Sequence, residues 1–173
     1  MNADQRRWKT RAAFASICVL ALAGSLQAGT AVSPRDFVQG FYTWYTSAKV
    51  QKSPGRAWDV AVKERSSSFS PDVVRQLRAD SLAQDKSSGD IVGLDFDPFL
   101  YSQDPAQRYV VSGVTAKGAG WLVDVDAGKK SAVVAEIVPA GDGWQFINFH
   151  YGDGQDLIAV LKTLREDREK SAH

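Results

Sequence analysis

Between residues 109 and 149 four short stretches of strand-forming residues are separated by turns that contain glycine. The stretches are 109–115, 121–125, 132–138 and 144–149, and the turns between them contain Gly118 with Gly120, Gly128, and Gly141 with Gly143. Turns this short join neighbouring antiparallel strands, because a parallel crossover needs a dozen or more residues. The spacing therefore predicts a four-stranded antiparallel meander, which constrains the fold more than any other feature of the chain.

The side chains of two stretches indicate where they lie in the sheet. In the second stretch Trp121, Val123 and Val125 alternate with more polar positions, as in a sheet with one solvated face. The fourth stretch, 144–149, carries apolar residues on both faces. We therefore expect 144–149 to be a central strand.

Helices are predicted both before and after the four strands in the sequence. Ser33 followed by Pro34 and Asp36 is typical of a helix start, and apolar residues then recur at steps of three and four. This pattern predicts a helix of about 15 residues that ends before 53–55. Its predicted buried stripe consists of Phe37, Val38, Phe41, Trp44, Tyr45 and Ala48.

Two further helices are expected before the sheet and one after it. A short one around 58–62 closes at the serines 66–68, and a longer one begins with the cap 70–72 and buries Val73, Val74, Leu77 and Leu82. The segment 153–156 caps a last helix with the stripe Leu157, Ile158, Leu161 and Leu164. Between the longer helix and the first strand, residues 87–107 are predicted to form a partly buried loop. The sequence thus predicts one α+β domain over 32–170, with the N-terminal helices and the C-terminal helix packed on the sheet.

Residues 1–28 have the order of a secretory signal peptide. Arg6, Arg7, Lys9 and Arg11 precede an uncharged stretch, 12–24, that is too short for a stable membrane anchor. We expect Sec-type export, cleavage after Ala28 or Ala31, no stable membrane anchor after cleavage, and a periplasmic or secreted bacterial protein. A twin-arginine signal, a lipoprotein signal using Cys18 and a retained single-span anchor are the alternatives.

The composition of the remaining chain limits its partners. Without residues 1–28, the chain keeps 17 of its 21 basic and 19 of its 20 acidic residues, and its net charge is 17 − 19 = −2. The basic residues do not cluster, so we expect no nucleic-acid partner. The single cysteine, Cys18, lies in the predicted signal peptide, so the exported domain has no disulfide.

The sequence offers binding residues but no catalytic constellation. Asp95 and Asp97 begin like a calcium loop, but Phe99 occupies the third ligand position, so turn hydrogen bonds are the expected role of these aspartates. His150 is the one candidate general base. We therefore predict no catalytic residue, no metal and no cofactor. The candidates for binding a ligand or partner are Trp44, Tyr45, Asp95, Asp97, Tyr101, Trp144, His150 and Tyr151.

Four segments together resemble the YbjP-like family, a domain of unknown function found in exported bacterial proteins. They are 36–42, with Asp-Phe-Val and Phe-Tyr; 94–99, Leu-Asp-Phe-Asp-Pro-Phe; the pair Gln103 and Asp104; and 144–151, Trp-Gln-Phe-Ile-Asn-Phe-His-Tyr. The resemblance covers nearly the whole chain after residue 31. It implies a compact α+β domain similar to the NTF2-like and cystatin-like group and brings no catalytic residues. Family members include lipoproteins, whereas this chain lacks a convincing cysteine for a lipid.

Three functional hypotheses follow. The first is a non-enzymatic binding protein of the cell envelope, of an inhibitor or immunity type, with a protein partner. The second is an NTF2-like cup that binds or hydrolyses a small molecule with Asp95, Asp97, Tyr101 or His150 around an aromatic-lined cavity. The third is a structural protein of the envelope. The sequence leaves the oligomeric state open.

Overall fold

The computed structural model describes residues 32–103, 106, 108–128 and 130–171. The predicted signal peptide with both cleavage points, and Asp104 of the quoted Gln-Asp pair, lie outside the described residues.

The described chain folds as four helices, an antiparallel sheet and a closing helix, so the α+β class and the meander are confirmed. The helices before the sheet are α1 (Pro34–Tyr45), α2 (Ala48–Gln51), α3 (Ala57–Glu64) and α4 (Pro71–Lys86), with a 3₁₀ turn, Ser66–Ser68, before α4. The strands are β1 (Tyr109–Lys117), β2 (Gly120–Ala127), β3 (Lys130–Ala140) and β4 (Gly143–His150), and α5 is Leu157–Ser171. The sheet is open, its strand order is β1-β2-β3-β4, and each strand is longer than its predicted stretch.

Strand β4 lies at one end of this sheet, so the prediction that it is central is wrong. Apolar residues occupy both odd and even positions of β4 because the strand has a bulge at Ile147. Phe146 pairs with Ile137, whereas Asn148, two residues later, pairs with Glu136, the next residue of β3. The extra residue turns both Phe146 and Phe149 toward the core, where both are fully buried. The chain before α4 also covers this end of the sheet, because the Ser70 N–H donates to Phe146 O at 2.8 Å.

Helix α1 begins as predicted but is shorter. The Ser33 hydroxyl accepts from the Asp36 N–H, and Pro34 occupies the first turn. The helix ends at Tyr45 because Ser47 takes an extended conformation, and the Thr46 hydroxyl donates back to Tyr42 O. Residues 48–51 form the separate helix α2, so the predicted stripe loses its last member: Ala48 is exposed.

Helix α4 is capped as predicted, since the Ser70 hydroxyl accepts from the Val73 N–H. Its buried face differs from the predicted stripe, because Leu82 is 58% exposed while Asp80 and Ser81 are buried. Polar side chains can occupy this face because each has partners there. Asp80 accepts from Arg168 and from the Leu94 N–H, and the Ser81 hydroxyl donates to Asp59.

Aromatic rings fill the space between the helices and the sheet. Helix α1 lies across β1 and β2, while α4 and α5 contact β4. Phe41 stacks on Tyr45 at 5.4 Å between ring centroids and meets Phe69 and Phe99 edge-on. Phe146 and Phe149 continue this packing onto β4. The ring centroids lie about 5–6 Å apart, which is the spacing of aromatic rings in contact, so this interior is a packed core.

A membrane-crossing helix is not present in the part of the chain that the structure describes.

Candidate functional site

The loop before β1 is organised around the carboxylate of Asp97. One carboxylate oxygen, Oδ2, accepts from the hydroxyl of Tyr45 at 2.6 Å. The other, Oδ1, accepts from the backbone N–H groups of Phe99 and Leu100 at 2.9 and 3.0 Å. The turn hydrogen bonds expected for this aspartate are therefore present, and the bond from Tyr45 joins the loop to helix α1.

The position of Asp97 changes its ionisation. The residue is 8% exposed, and this burial raises the pKa of the carboxyl to about 6. The three hydrogen bonds favour the charged form and lower the pKa, so they limit the rise. Asp97 is thus a buried acid that changes charge in the mildly acidic range.

Tyr101 and Tyr151 form a ring stack beside Asp97. Their centroids are 4.3 Å apart with an interplanar angle of 7°, and Phe96 meets both rings edge-on. The Tyr101 hydroxyl donates to Asp153 at 2.6 Å, while the Tyr151 hydroxyl donates to the carbonyl of Pro98. Tyr101 has φ +48°, a left-handed conformation that is uncommon for a residue other than glycine. The stack and the two hydroxyl bonds hold it there.

An open groove of about 670 Å³ runs between this loop and the start of α3. We call it the α3 groove. Its apolar wall is formed by Trp58, Ile91, Leu94 and Phe96, and Asp97 lies among its lining residues. Two of its members stand out: Ile91 is 73% exposed, and Asp95 is an exposed carboxylate. The α3 groove thus combines an exposed apolar side chain with an exposed carboxylate.

The charge of the α3 groove is acidic, although Arg56 lines it. The guanidinium of Arg56 is paired with Asp59 at 2.8 Å and with Asp85 at 2.7 Å, so two carboxylates neutralise it. The neighbouring Trp58 Nε1 is buried and has no hydrogen-bond partner within the described residues. Among the described residues that line this site, the charged group without an ion pair is therefore the carboxylate of Asp95, which lies next to the buried acid Asp97.

His150 lies away from the α3 groove. It pairs in register with Val134, on the face of the sheet opposite the buried Phe149. Its Nε2 lies 2.7 Å from Glu136, which also forms an ion pair with Lys117 at 3.0 Å. Burial alone would raise the pKa of the Glu136 carboxyl, but the His150 hydrogen bond and Lys117 together lower it. His150 thus lies in a row with Glu136 and Lys117 on the outer sheet face.

The two tryptophan candidates lie apart from the loop as well. Trp44 is half-buried under the guanidinium of Arg65, whose carbon is 4.3 Å from the ring centroid. Trp144 donates its Nε1–H to Val32 O at 2.7 Å. Of the eight candidates, the structure brings Tyr45, Asp97, Tyr101 and Tyr151 together and places Asp95 beside them in the α3 groove. The Trp44 ring contacts that of Tyr45, with centroids 6.2 Å apart, but Trp44 does not line the groove. Trp144 and His150 lie apart from this group.

Sequence reasoning did not select Arg56, Trp58, Ile91 or Gln103 as site residues. Ile91 carries a signal that was available, because it is a large apolar residue directly after the polar segment 87–90. Arg56 carries no such signal, because only the folded chain brings α3 to the loop. Among the residues with described positions, no group of three or more His, Cys, Asp or Glu side chains is arranged to hold a metal ion.

Comparison of this chain with protein-family models, with curated proteins and with solved structures finds no match.

Proposed function

We propose that this chain is an exported, non-enzymatic binding protein of the bacterial cell envelope, of an inhibitor or immunity type, and that the α3 groove receives a segment of its protein partner. The observation that carries the proposal is the pairing, in one open groove, of the exposed Ile91 with the free carboxylate of Asp95. An apolar contact surrounded by polar groups is the usual composition of a protein-binding surface.

The lining of the α3 groove also supports a particular partner chemistry. Its wall offers apolar contact through Ile91, Trp58 and Phe96. Its net charge is negative because Arg56 is already neutralised by two carboxylates. The partner segment therefore presents an apolar side chain next to a lysine or arginine.

The site is pre-organised, which favours binding without rearrangement. The Tyr45–Asp97 hydrogen bond fixes the loop to α1, and the Gln103 amide donates to Asp95 O across the same loop. Gln84 on α4 accepts from the N–H groups of Val92 and Gly93 and holds the segment next to Ile91. A surface fixed in this way loses little conformational entropy when it binds.

The NTF2-like cup is the weaker hypothesis because rings of the core occupy the space where its cavity would lie. Phe41, Phe69, Phe99 and Phe146 pack there at centroid distances of 4.9–5.6 Å. We nevertheless propose membership of the YbjP-like family and a relationship to NTF2-like and cystatin-like domains. Both rest on the four segments of sequence that resemble the family and on α1 lying across an antiparallel meander.

Capture of a partner from envelope extract tests the proposed function. Asp95→Lys reverses the free charge of the α3 groove and is expected to reduce capture of a specific protein about tenfold or more, because like charges then face each other. Asp142→Lys makes the same change at an exposed turn outside the groove and should capture as the unmodified protein does. Equal capture by both variants, or no specific partner from any of the three proteins, contradicts the proposal.

A further inference from the structure

The outer edge of β1 is covered over one half only. Arg35 on α1 donates to the carbonyls of Val111 and Ser112. Gln39, one turn further along α1, donates to Tyr109 O and accepts from the Val111 N–H. These two side chains satisfy the backbone groups of the first half of the edge in place of a neighbouring strand.

The second half of the edge, 113–117, is open. We call it the β1 edge. Strand β1 stands at the end of the sheet, and in the part of the chain that the structure describes no further strand pairs with it. Thr115, Ala116 and Lys117 are exposed. Free backbone groups in an exposed strand favour pairing with another strand.

The β1 edge is complementary to a second copy of itself. In an antiparallel pair related by a two-fold axis at Thr115, Lys117 of one copy stands opposite Gly113 of the other. Gly113, Thr115 and Lys117 share the outer sheet face, since they pair with Asp124, Leu122 and Gly120.

The charges on that face match in the same register. The side chain of Asp124 leans over Gly113, because a Cβ added to this glycine would overlap Asp124 Oδ2. With no side chain at Gly113, the path from Asp124 to the open edge is clear. The strand carrying Asp124 would lie two strand spacings, about 10 Å, from the partner's β1, a distance that a lysine and an aspartate side chain span together. Each dimer would contain two such Lys117–Asp124 pairs.

We propose that the chain forms a two-fold symmetric dimer through the β1 edge, which joins two four-stranded sheets into one sheet of eight strands. Lys117 exchanges its contact with Glu136 for the partner's Asp124, and Glu136 keeps its contact with His150. The proposal does not depend on the α3 groove, which lies on other elements of the fold.

Two variants with opposite charge changes, measured separately and mixed, test the dimer. All are obtained by expressing the full chain. Lys117→Glu alone and Asp124→Lys alone each place two like-charge pairs across the two-fold axis, and each is expected to weaken the dimer at least about tenfold. Mixing the two variants restores both opposite-charge pairs, so sedimentation should detect a heterodimer about as tight as the unmodified dimer. An unmodified protein that stays monomeric at millimolar concentration, or a mixture no tighter than either variant alone, overturns the proposal.

A cysteine pair gives a second measurement that does not alter the charges. In a Cys18→Ser background, Thr115→Cys places two thiols at the two-fold axis, at the Cα separation that a disulfide needs. Mild oxidation is expected to give a covalent dimer. Val110→Cys, an exposed position in the covered half of β1, should form no covalent dimer under the same conditions. Equal cross-linking from both positions, or none from position 115, contradicts the proposed pairing.

Discussion

At the scale of single residues, Asp97 determines how the loop before β1 is held. Its carboxylate receives three hydrogen bonds, one of them from Tyr45, which lies 52 positions earlier in the chain. Burial disfavours the charged form, and the hydrogen bonds offset this cost in part. The stability of the loop therefore depends on pH.

The raised pKa of Asp97 predicts a specific pH dependence of the free energy of unfolding. Because the folded-state pKa is raised from 3.8 to about 6, the associated stability is fully present below pH 3.8 and is lost as the pH rises through 6. A difference of two pKa units corresponds to about 3 kcal/mol. Asp97→Asn keeps an oxygen for the Phe99 and Leu100 N–H groups and cannot ionise.

Chemical denaturation of both proteins at several pH values between 4 and 7.5 measures this effect. The stability of Asp97→Asn relative to the unmodified protein should rise by about 2.5 kcal/mol across that range, because a small part of the effect is already lost at pH 4. Parallel pH profiles for the two proteins would show that Asp97 titrates as an exposed carboxyl does.

Of the two roles of Asp97, the turn hydrogen bonds within the loop could be predicted from the sequence, and the hydrogen bond to Tyr45 on α1 could not. An aspartate followed two positions later by a backbone N–H is a local turn pattern, and the sequence contains it. The bond to Tyr45 and the ring stack of Tyr101 on Tyr151 join segments about 50 residues apart. No local pattern encodes such contacts, so the sequence indicates Tyr45, Asp97, Tyr101 and Tyr151 as separate candidates without predicting that they meet.

At the scale of elements, a buried ion pair joins α4, α5 and the loop. Arg168 lies 2.7 Å from Asp80, whose side chain is 3% exposed, and it also donates to Val92 O. Asp80 in turn accepts from the Leu94 N–H. Removing the arginine leaves the buried Asp80 carboxylate with one backbone donor, the Leu94 N–H, among the described residues.

Arg168→Ala is therefore expected to lower the free energy of unfolding by about 3 kcal/mol, as for other broken buried pairs. Arg165→Ala is the matched control on the same helix. Its partner, Glu169, is 3.9 Å away and both side chains are mostly exposed, so the expected loss is at most about 0.5 kcal/mol. Urea denaturation at neutral pH separates the two, and similar losses for both would contradict the structural role of the Arg168–Asp80 pair.

Helix starts and turns were predictable because their signals are local. The Ser33 and Ser70 caps and the glycine turns are where the sequence places them. The position of β4 at the end of the sheet was not predictable. Apolar residues at both odd and even positions are found in central strands and also in strands with a bulge. Leu82 was misassigned for a similar reason: the helical period cannot reveal that Asp80 finds a buried partner in α5.

At the scale of the whole molecule, the packing of helices on the sheet places the α3 groove and the β1 edge on different elements. The α3 groove lies where α3 meets the loop before β1, and the β1 edge lies at one end of the sheet. Alternating strands and striped helices predict such layers in general terms. They do not predict which edge stays open, because that depends on Arg35 and Gln39 reaching only half of β1.

The central claim is that a partner protein occupies the α3 groove, and photo-cross-linking in intact cells tests it most directly. A photoreactive amino acid replaces either Ile91, in the groove, or Leu82, which is 58% exposed on α4 outside it. We expect position 91 to give one specific adduct with an envelope protein, and Asp95→Lys in the same chain to abolish it. Position 82 should give none. No adduct from position 91, or the same adduct from both positions, would contradict the claim.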